Sequence, residues 1–233
     1  MKVTMVRYTN DADLLAGEAA SLCYNGKNPC KSLEVALDGK HESVAEHASF
    51  TFLIEGVSRV FLSQITRHRL ASFSVQSQRY VSYKNRFGYI VPPKIAALGQ
   101  EALDEYHRQM RTMHEWYCGW QEKLGKGEGS NEDARFVLPG ACETKMMVTM
   151  NVRELRHFFS LRCCTRAQWE IRAVANEMLK LCKSVAPKLF EDAGPGCVRG
   201  ACPEGDKSCK KSIGNETIIM LYPSATRMYA TSE

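Results

Sequence analysis

Arg67, His68, Arg69, Ser72, Ser74, Ser77 and Arg79 fall within the fourteen residues from Arg67 to Tyr80, and no carboxylate stands among them. From Gly56 to Gln100 the chain has no Asp or Glu, yet it carries Arg59, Arg67, Arg69, Arg79, Lys84, Arg86 and Lys94. The segment is too apolar to be a disordered basic tail, so its counter-charge must come from elsewhere. Guanidinium forks take phosphate or carboxylate oxygens two at a time, and serine hydroxyls add short hydrogen bonds to the same oxygens. The stretch reads as the anion-binding core of an enzyme active site.

The elements around it follow from periodicity. Lys2 to Tyr8 reads as a strand, and Asp11 as the N-cap of a helix over Ala12 to Cys23 with Leu14, Leu15, Ala19 and Leu22 inward. Ser32 reads as the cap of a second helix that ends at Asp38-Gly39. Phe50, Phe52 and Ile54 predict a half-buried strand up to Glu55-Gly56, and an amphipathic helix runs from Ser58 to about Arg69. From Phe73 the pattern is extended, which puts Ser77 and Arg79 on one side. Ala102, Leu103, Tyr106, Met110, Met113, Trp116, Tyr117 and Trp120 trace one face of a long helix, as core or subunit interface. Ser130 caps a short turn carrying Arg135, and Met146 to Met150 is a strand. Asn151 with Glu154 makes a capping box for a helix with Leu155, Phe158 and Phe159 inward. Thr165 with Gln168 makes another, for a helix from Ala167 through Phe190.

The 233 residues allow one large domain or two small ones, and a net charge of +5 suits an anionic small molecule as well as nucleic acid. No apolar run approaches the roughly 20 residues of a membrane span. Met1-Lys2-Val3 opens into a strand pattern, so no membrane association and a cytoplasmic location are expected. Cys23, Cys118, Cys142 and Cys182 read as core fillers among the ten cysteines. Cys197, Cys202 and Cys209 lie in a Gly/Pro-rich stretch without a CxxC pair, a following histidine or an evident fourth ligand, so no metal is expected. Residues 194–233 are taken as a Cys/Gly/Pro-rich C-terminal extension to a catalytic domain of residues 1–193. His41 and His47 are six apart, which rules out the HExxH arrangement.

Arg67-His68-Arg69, followed by Ser77-Gln78-Arg79-Tyr80, resembles the signature of the flavin-dependent thymidylate synthases. His41-Glu42-Ser43 resembles the family's His-Glu-(Thr/Ser) element, and Gln64 stands three residues before the signature as it does there. Ala134 to Pro139, Asn151 to Leu155, Leu161-Arg162 and Ala167 to Ile171 match further blocks, in order and spacing, from about residue 41 to 190. The resemblance implies an α+β fold, a mostly antiparallel sheet with flanking helices in a single catalytic domain, and a homotetramer with active sites shared between subunits. It implies conversion of dUMP to dTMP, with 5,10-methylenetetrahydrofolate as carbon donor and NADPH-reduced FAD as hydride donor. Every one of those ligands is an anion.

Residue by residue, the resemblance implies FAD binding by Ser43, Arg67, His68, Arg69, Val75, Asn151, Arg153 and His157. It assigns dUMP to Gln64, Ile65, Thr66, Arg67, Val75, Gln76, Ser77, Gln78, Arg79, Arg135 and Arg162. His41 would lie near flavin and folate. Arg162 would sit against the uracil and act as the catalytic group. Val75 stands where some members carry an acid, leaving its backbone to serve, while Arg166 replaces a histidine and His157 an asparagine. Ser77 as a nucleophile would need an adjacent base, whereas a fixed Arg162 cation can stabilise charge developing on the pyrimidine directly.

Two rival readings make separate predictions. A non-catalytic nucleic-acid-binding protein would use residues 59–94, stacking bases on Phe73, Tyr80, Tyr83 and Phe87. A metal-dependent phosphohydrolase would draw ligands from His41, Glu42, Glu46 and His47.

Overall fold

Alternating apolar residues build the central strand: Phe50, Phe52 and Ile54 are fully buried, while Thr51, Leu53 and Glu55 between them are half-buried. The computed structural model describes residues 1–125, 127–210 and 227–231. Strands β1 (Lys2–Tyr8), β2 (Ser49–Ser58), β3 (Ala71–Val75) and β5 (Glu143–Asn151) form one antiparallel sheet in the order β1-β2-β5-β3. Strands β4 (Arg86–Ile90) and β6 (Arg227–Thr231) pair separately, also antiparallel. The helices are α1 (Ala12–Tyr24), α2 (Pro29–Asp38), α3 (Arg59–Ile65), α4 (Pro93–Ala96), α5 (Gln100–Leu124), α6 (Glu128–Ala134), α7 (Val152–Arg162) and α8 (Trp169–Val185). This is the expected α+β fold with an antiparallel sheet.

Two apolar clusters organise it. The larger joins Phe50, Phe52 and Ile54 of β2 to Leu155, Phe158 and Phe159 of α7 and to Ile171, Val174 and Met178 of α8. The smaller gathers Tyr83, Phe87, Tyr89, Met110, Tyr117 and Cys142 under α5. The chain from α3 into β3 and on to the turn at Gln78–Tyr80 links the regions these clusters support.

Several local expectations fail, each for a physical reason. In α1 the buried positions are Ala12, Ala16, Gly17 and Ala20, and Leu14 and Leu22 face outward. Small residues let α1 approach α2 closely: a Cβ on Gly17 would stand 2.5 Å from the Pro29 carbonyl oxygen. Asp11 adopts a left-handed conformation and makes no side-chain cap, and Asn28 rather than Ser32 caps α2. Helix α3 stops at Ile65 and Thr66 and Arg67 turn, so residues 66–69 do not continue the helix. Ser130 lies inside α6, buried, and donates to the Gln121 carbonyl. Gln168, not Thr165, caps α8, which ends at Val185. Trp116 and Trp120 are about half exposed, because polar His114 and Gln121 take the inner face of α5 beside Tyr117. Cys23 is exposed, whereas Cys142 and Cys182 are buried as expected.

Candidate active site

The geometry starts at Glu170. Its buried carboxylate accepts from the Ser58 amide at 2.7 Å and from the Ser58 hydroxyl at 2.5 Å. Ser58 in turn caps α3, its Oγ accepting from the Phe61 amide at 3.0 Å. Helix α8 thereby fixes the start of α3, whose far end carries Gln64 and delivers Arg67, His68 and Arg69. Burial raises the Glu170 carboxyl above the usual range, although its hydrogen bonds to Ser58 oppose this.

Helix α7 supplies the opposing wall. Asn151 caps it, accepting from the Glu154 amide at 2.9 Å. Glu154 and Arg162 are eight residues apart and share a helix face. Both meet His68: its Nδ1 stands 2.9 Å from Glu154 Oε1, and Arg162 Nε donates to its Nε2 at 3.1 Å. A guanidinium can only donate, so Nε2 must offer its lone pair and Nδ1 must carry the proton towards the carboxylate. The ring is thus a neutral imidazole in one tautomer. Burial lowers the His68 pKa and Arg162 lowers it further, against the raising influence of Glu154. Phe158 holds the ring edge-on at 4.9 Å, and the His157 ring lies 6.0 Å away on the exposed side.

Arg162 also points Nη2 at the Gln64 carbonyl, 3.5 Å away. Burial and the nearby Arg67 cation both lower its pKa. Arg67 and Arg69 are exposed, and among the described residues neither side chain has a carboxylate partner. Thr66 is exposed with its hydroxyl turned back to the Leu62 carbonyl. The Ile65 side chain is completely buried in the larger core, which leaves its backbone to face a ligand.

A second group lies beyond β3. Val75 ends that strand, and the Gln76 amide bonds Lys145. Ser77, Gln78 and Arg79 do not continue as a strand. The Ser77 hydroxyl accepts from the Arg79 amide at 3.0 Å, which folds them into a turn and overturns the same-side reading of Ser77 and Arg79. Gln78 is buried against the Cys142 sulfur at 3.6 Å. Arg79 bridges Glu128 at 2.7 Å and Glu132 at 3.0 Å, so this cation has counter-charge from α6. Arg135, just past α6, donates to the Glu132 carbonyl. A cleft of about 420 Å³ opens beside this group, lined by Tyr80, Ser82, Lys84, Gln121 and Asn131 among others.

A third group surrounds the short 3-10 helix Glu42–His47. Ser43 and His41 are exposed, His41 against the Tyr24 ring at 6.0 Å. Arg153 pairs with Glu46, while Glu42 meets Arg156 and Arg199 at 3.3 Å. These acids are engaged by arginines, which removes the basis for a metal site at residues 41–47. The base-stacking reading also loses its platform, since Tyr83 and Phe87 are buried in the smaller core.

The structure therefore brings Gln64, Arg67, His68 and Arg162 together. It leaves Ser77–Arg79 with Arg135, and His41–Ser43 with Arg153, as separate groups. Sequence reasoning missed Glu154 and Glu170 as site-building residues. Glu154 was legible only as half of a capping box, yet its carboxylate turns to His68 instead of back to Asn151. Its alignment with Phe158 and Arg162 at four-residue steps was the available signal.

Residues 4–188 match the family described as thymidylate synthase complementing protein. A flavin-dependent thymidylate synthase of Geobacter sulfurreducens is 46% identical over 226 residues, covering 91% of this chain and 95% of that one. One from Clostridium tetani is 44% identical over 243 residues, covering 94% and 97%. The crystal structure of flavin dependent thymidylate synthase ThyX from Helicobacter pylori, complexed with FAD and dUMP, matches with TM-score 0.65 and 26% identity, covering 83% of this chain and 100% of that one. The signature around Arg67–Tyr80, the α7 wall and the matched span all agree: this chain belongs to the flavin-dependent thymidylate synthase family.

Proposed function

We propose that this chain methylates dUMP to dTMP, with 5,10-methylenetetrahydrofolate as carbon donor and NADPH as the reductant of bound FAD. The observation that carries the reading is the Glu154–His68–Arg162 chain, which holds one guanidinium rigidly beside the unneutralised Arg67. The Helicobacter pylori relative was crystallised with FAD and dUMP.

The residues fit a dinucleotide diphosphate: Arg67 and Arg69 are exposed donors without carboxylate partners among the described residues, and neutral His68 lies behind them. Asn151, Ser43, His157 and the Arg153 donors not taken by Glu46 extend this set. When bound, FAD supplies the hydride that completes the methyl group. Arg162 stabilises the negative charge that develops on the uracil as C5 becomes nucleophilic. His68 and the Gln64 carbonyl keep that guanidinium in place by accepting from Nε and Nη2, which leaves the Nη1 donors for the pyrimidine. Ser77 serves as a turn-former and phosphate donor, since its hydroxyl is engaged by the Arg79 and Tyr80 amides and no base touches it among the described residues. Arg79 and Arg135 hold the dUMP phosphate, Arg79 exchanging part of its contact with Glu128 and Glu132.

Candidate residues spread over three parts of the chain suit sites completed by neighbouring subunits. Exposed Trp116, Trp120 and Phe136 suit the same homotetramer, because large apolar surface of this kind is usually covered. The proposed location is the cytoplasm; no helix among the described residues is long and apolar enough to cross a membrane. Arg162→Ala tests the chemistry: dTMP formation should stop while flavin stays bound. A variant that makes dTMP at the parental rate would rule out the assigned role.

A further inference from the structure

Residues 194–210 reach back onto the rest of the chain at Arg166 and at Glu42. Arg166, in the loop behind Arg162, meets Glu204 with Nε at 2.8 Å and donates from Nη1 to the Lys207 carbonyl at 3.3 Å. That tie fixes the body of the extension. The short 3-10 turn Gly196–Arg199 is folded tightly. The Val198 amide donates to the Pro195 carbonyl at 2.9 Å, and a Cβ on Gly194 would stand 3.1 Å from Val198 Cγ2. The turn ends on Arg199, whose Nη1 donates to Glu42 Oε1 at 3.3 Å.

Glu42 opens the 3-10 helix Glu42–His47 and stands between His41 and Ser43. Val44 and Ala45 are buried in the larger core, while His41 and Ser43 are exposed. The hydrogen bonds of a 3-10 turn are few and poorly aligned, so side-chain anchors decide how firmly its exposed start is held. Glu42 Oε1 also accepts from Arg156 Nε at 3.3 Å, but the rest of that guanidinium is committed. Arg156 Nη1 serves Asp192 at 2.7 Å and the Leu189 carbonyl at 2.6 Å, and Nη2 serves Asp192 at 3.1 Å. Arg199, Glu42, Arg156 and Asp192 thus alternate in charge from the extension to the buried face of α7.

We propose that Arg199 is a positioning residue for flavin binding, which through Glu42 holds His41 and Ser43 in place from the extension. The inference rests on the reading of Ser43 as a flavin contact and His41 as its neighbour. Arg199 acts through Glu42 and is given no contact of its own with FAD. Its side chain is 32% exposed, so solvent screening limits the effect to a few-fold change in affinity.

The experiment uses the full chain, with FAD binding read by flavin fluorescence and the turn itself by amide hydrogen exchange at residues 42–47. Arg199→Ala should raise the Kd for FAD about threefold. Arg199→Glu sets a carboxylate against Glu42 and should raise it about tenfold. Turnover at saturating FAD should stay within about twofold, since the change falls on binding. Arg199→Lys should restore most of the affinity, because one ammonium can serve the single Glu42 oxygen. Exchange at 42–47 should quicken in Arg199→Glu without FAD present. Arg108→Ala, which breaks an exposed pair on α5, should leave both readouts at parental values. Should Arg199→Glu not fold, the difference between the Ala and Lys variants carries the same test. Parental FAD affinity in the Ala and Glu variants would overturn the proposal, and so would parental exchange at 42–47. A parent chain that binds no FAD would overturn the flavin reading and the positioning role with it. That failure is distinct, because exchange at 42–47 would still respond to Arg199.

Discussion

Glu154 Oε1 and His68 Nδ1 stand 2.9 Å apart with both side chains almost excluded from solvent. The contact settles which nitrogen of His68 holds the proton, and so makes the other an acceptor for Arg162. Glu154 is a positioning residue in this account. It acts on Arg162 through the imidazole.

Glu154→Gln keeps an acceptor for Nδ1–H but removes the negative charge. Since Glu154 raises the His68 pKa against burial and Arg162, the variant should titrate even lower than the parent. The parent itself should titrate below the ordinary value of about 6.5. His68 is depressed in the fold, so its contribution to stability is complete above its unfolded pKa and is lost as pH falls through the folded one. NMR titration of the His68 ring checks both directions. A variant titrating above the parent would contradict the arrangement.

Arg162→Lys preserves charge but not the fork that meets His68 and Gln64 together. Turnover should fall about 10²-fold or more, close to the effect of alanine. Steady-state dTMP formation at equal flavin content measures it. Near-parental turnover would mean that charge alone suffices.

Glu170→Gln should weaken the anchoring of α3, because one carboxylate serves both Ser58 donors. Loss of such a buried contact costs about 1–3 kcal/mol, readable in denaturant unfolding. Its pKa is raised in the fold, so its stabilising contribution is full below the unfolded carboxyl pKa and is lost as pH rises through the folded one. The variant should lack that component of the pH dependence.

Much of this architecture is legible in the chain. The alternation at Phe50, Phe52 and Ile54 and the inward Leu155, Phe158 and Phe159 announce the core, because burial on one face imposes a period. The Arg67–Tyr80 stretch points to the candidate site by its missing carboxylates. What stayed hidden depends on distant partners. Nothing local reveals that Glu170 holds Ser58 across 112 residues, or that Glu128 and Glu132 come back to Arg79. The inner face of α1 is not legible from hydrophobicity, because close helix packing favours Ala and Gly over Leu there.

Arg156→Ala should destabilise the fold by about 1–3 kcal/mol, because a buried guanidinium and its hydrogen bonds are lost while half-exposed Asp192 can turn to solvent. Arg156 is buried and also donates to the Leu189 carbonyl at 2.6 Å. Burial works to raise the Asp192 pKa, but the Arg156 pair outweighs it and the net shift is downward. This contribution is therefore present above the unfolded carboxylate pKa and lost as pH falls through the folded one. The stability gap between parent and variant should narrow at low pH, leaving the part owed to the Leu189 carbonyl.

The central claim is that flavin and dUMP lie against the guanidinium groups of Arg67, Arg69 and Arg162. It is tested most directly by the visible absorption spectrum of the purified protein before and after NADPH. A yellow protein whose flavin bands bleach with NADPH is the predicted result. A colourless protein that takes up no added FAD would contradict it.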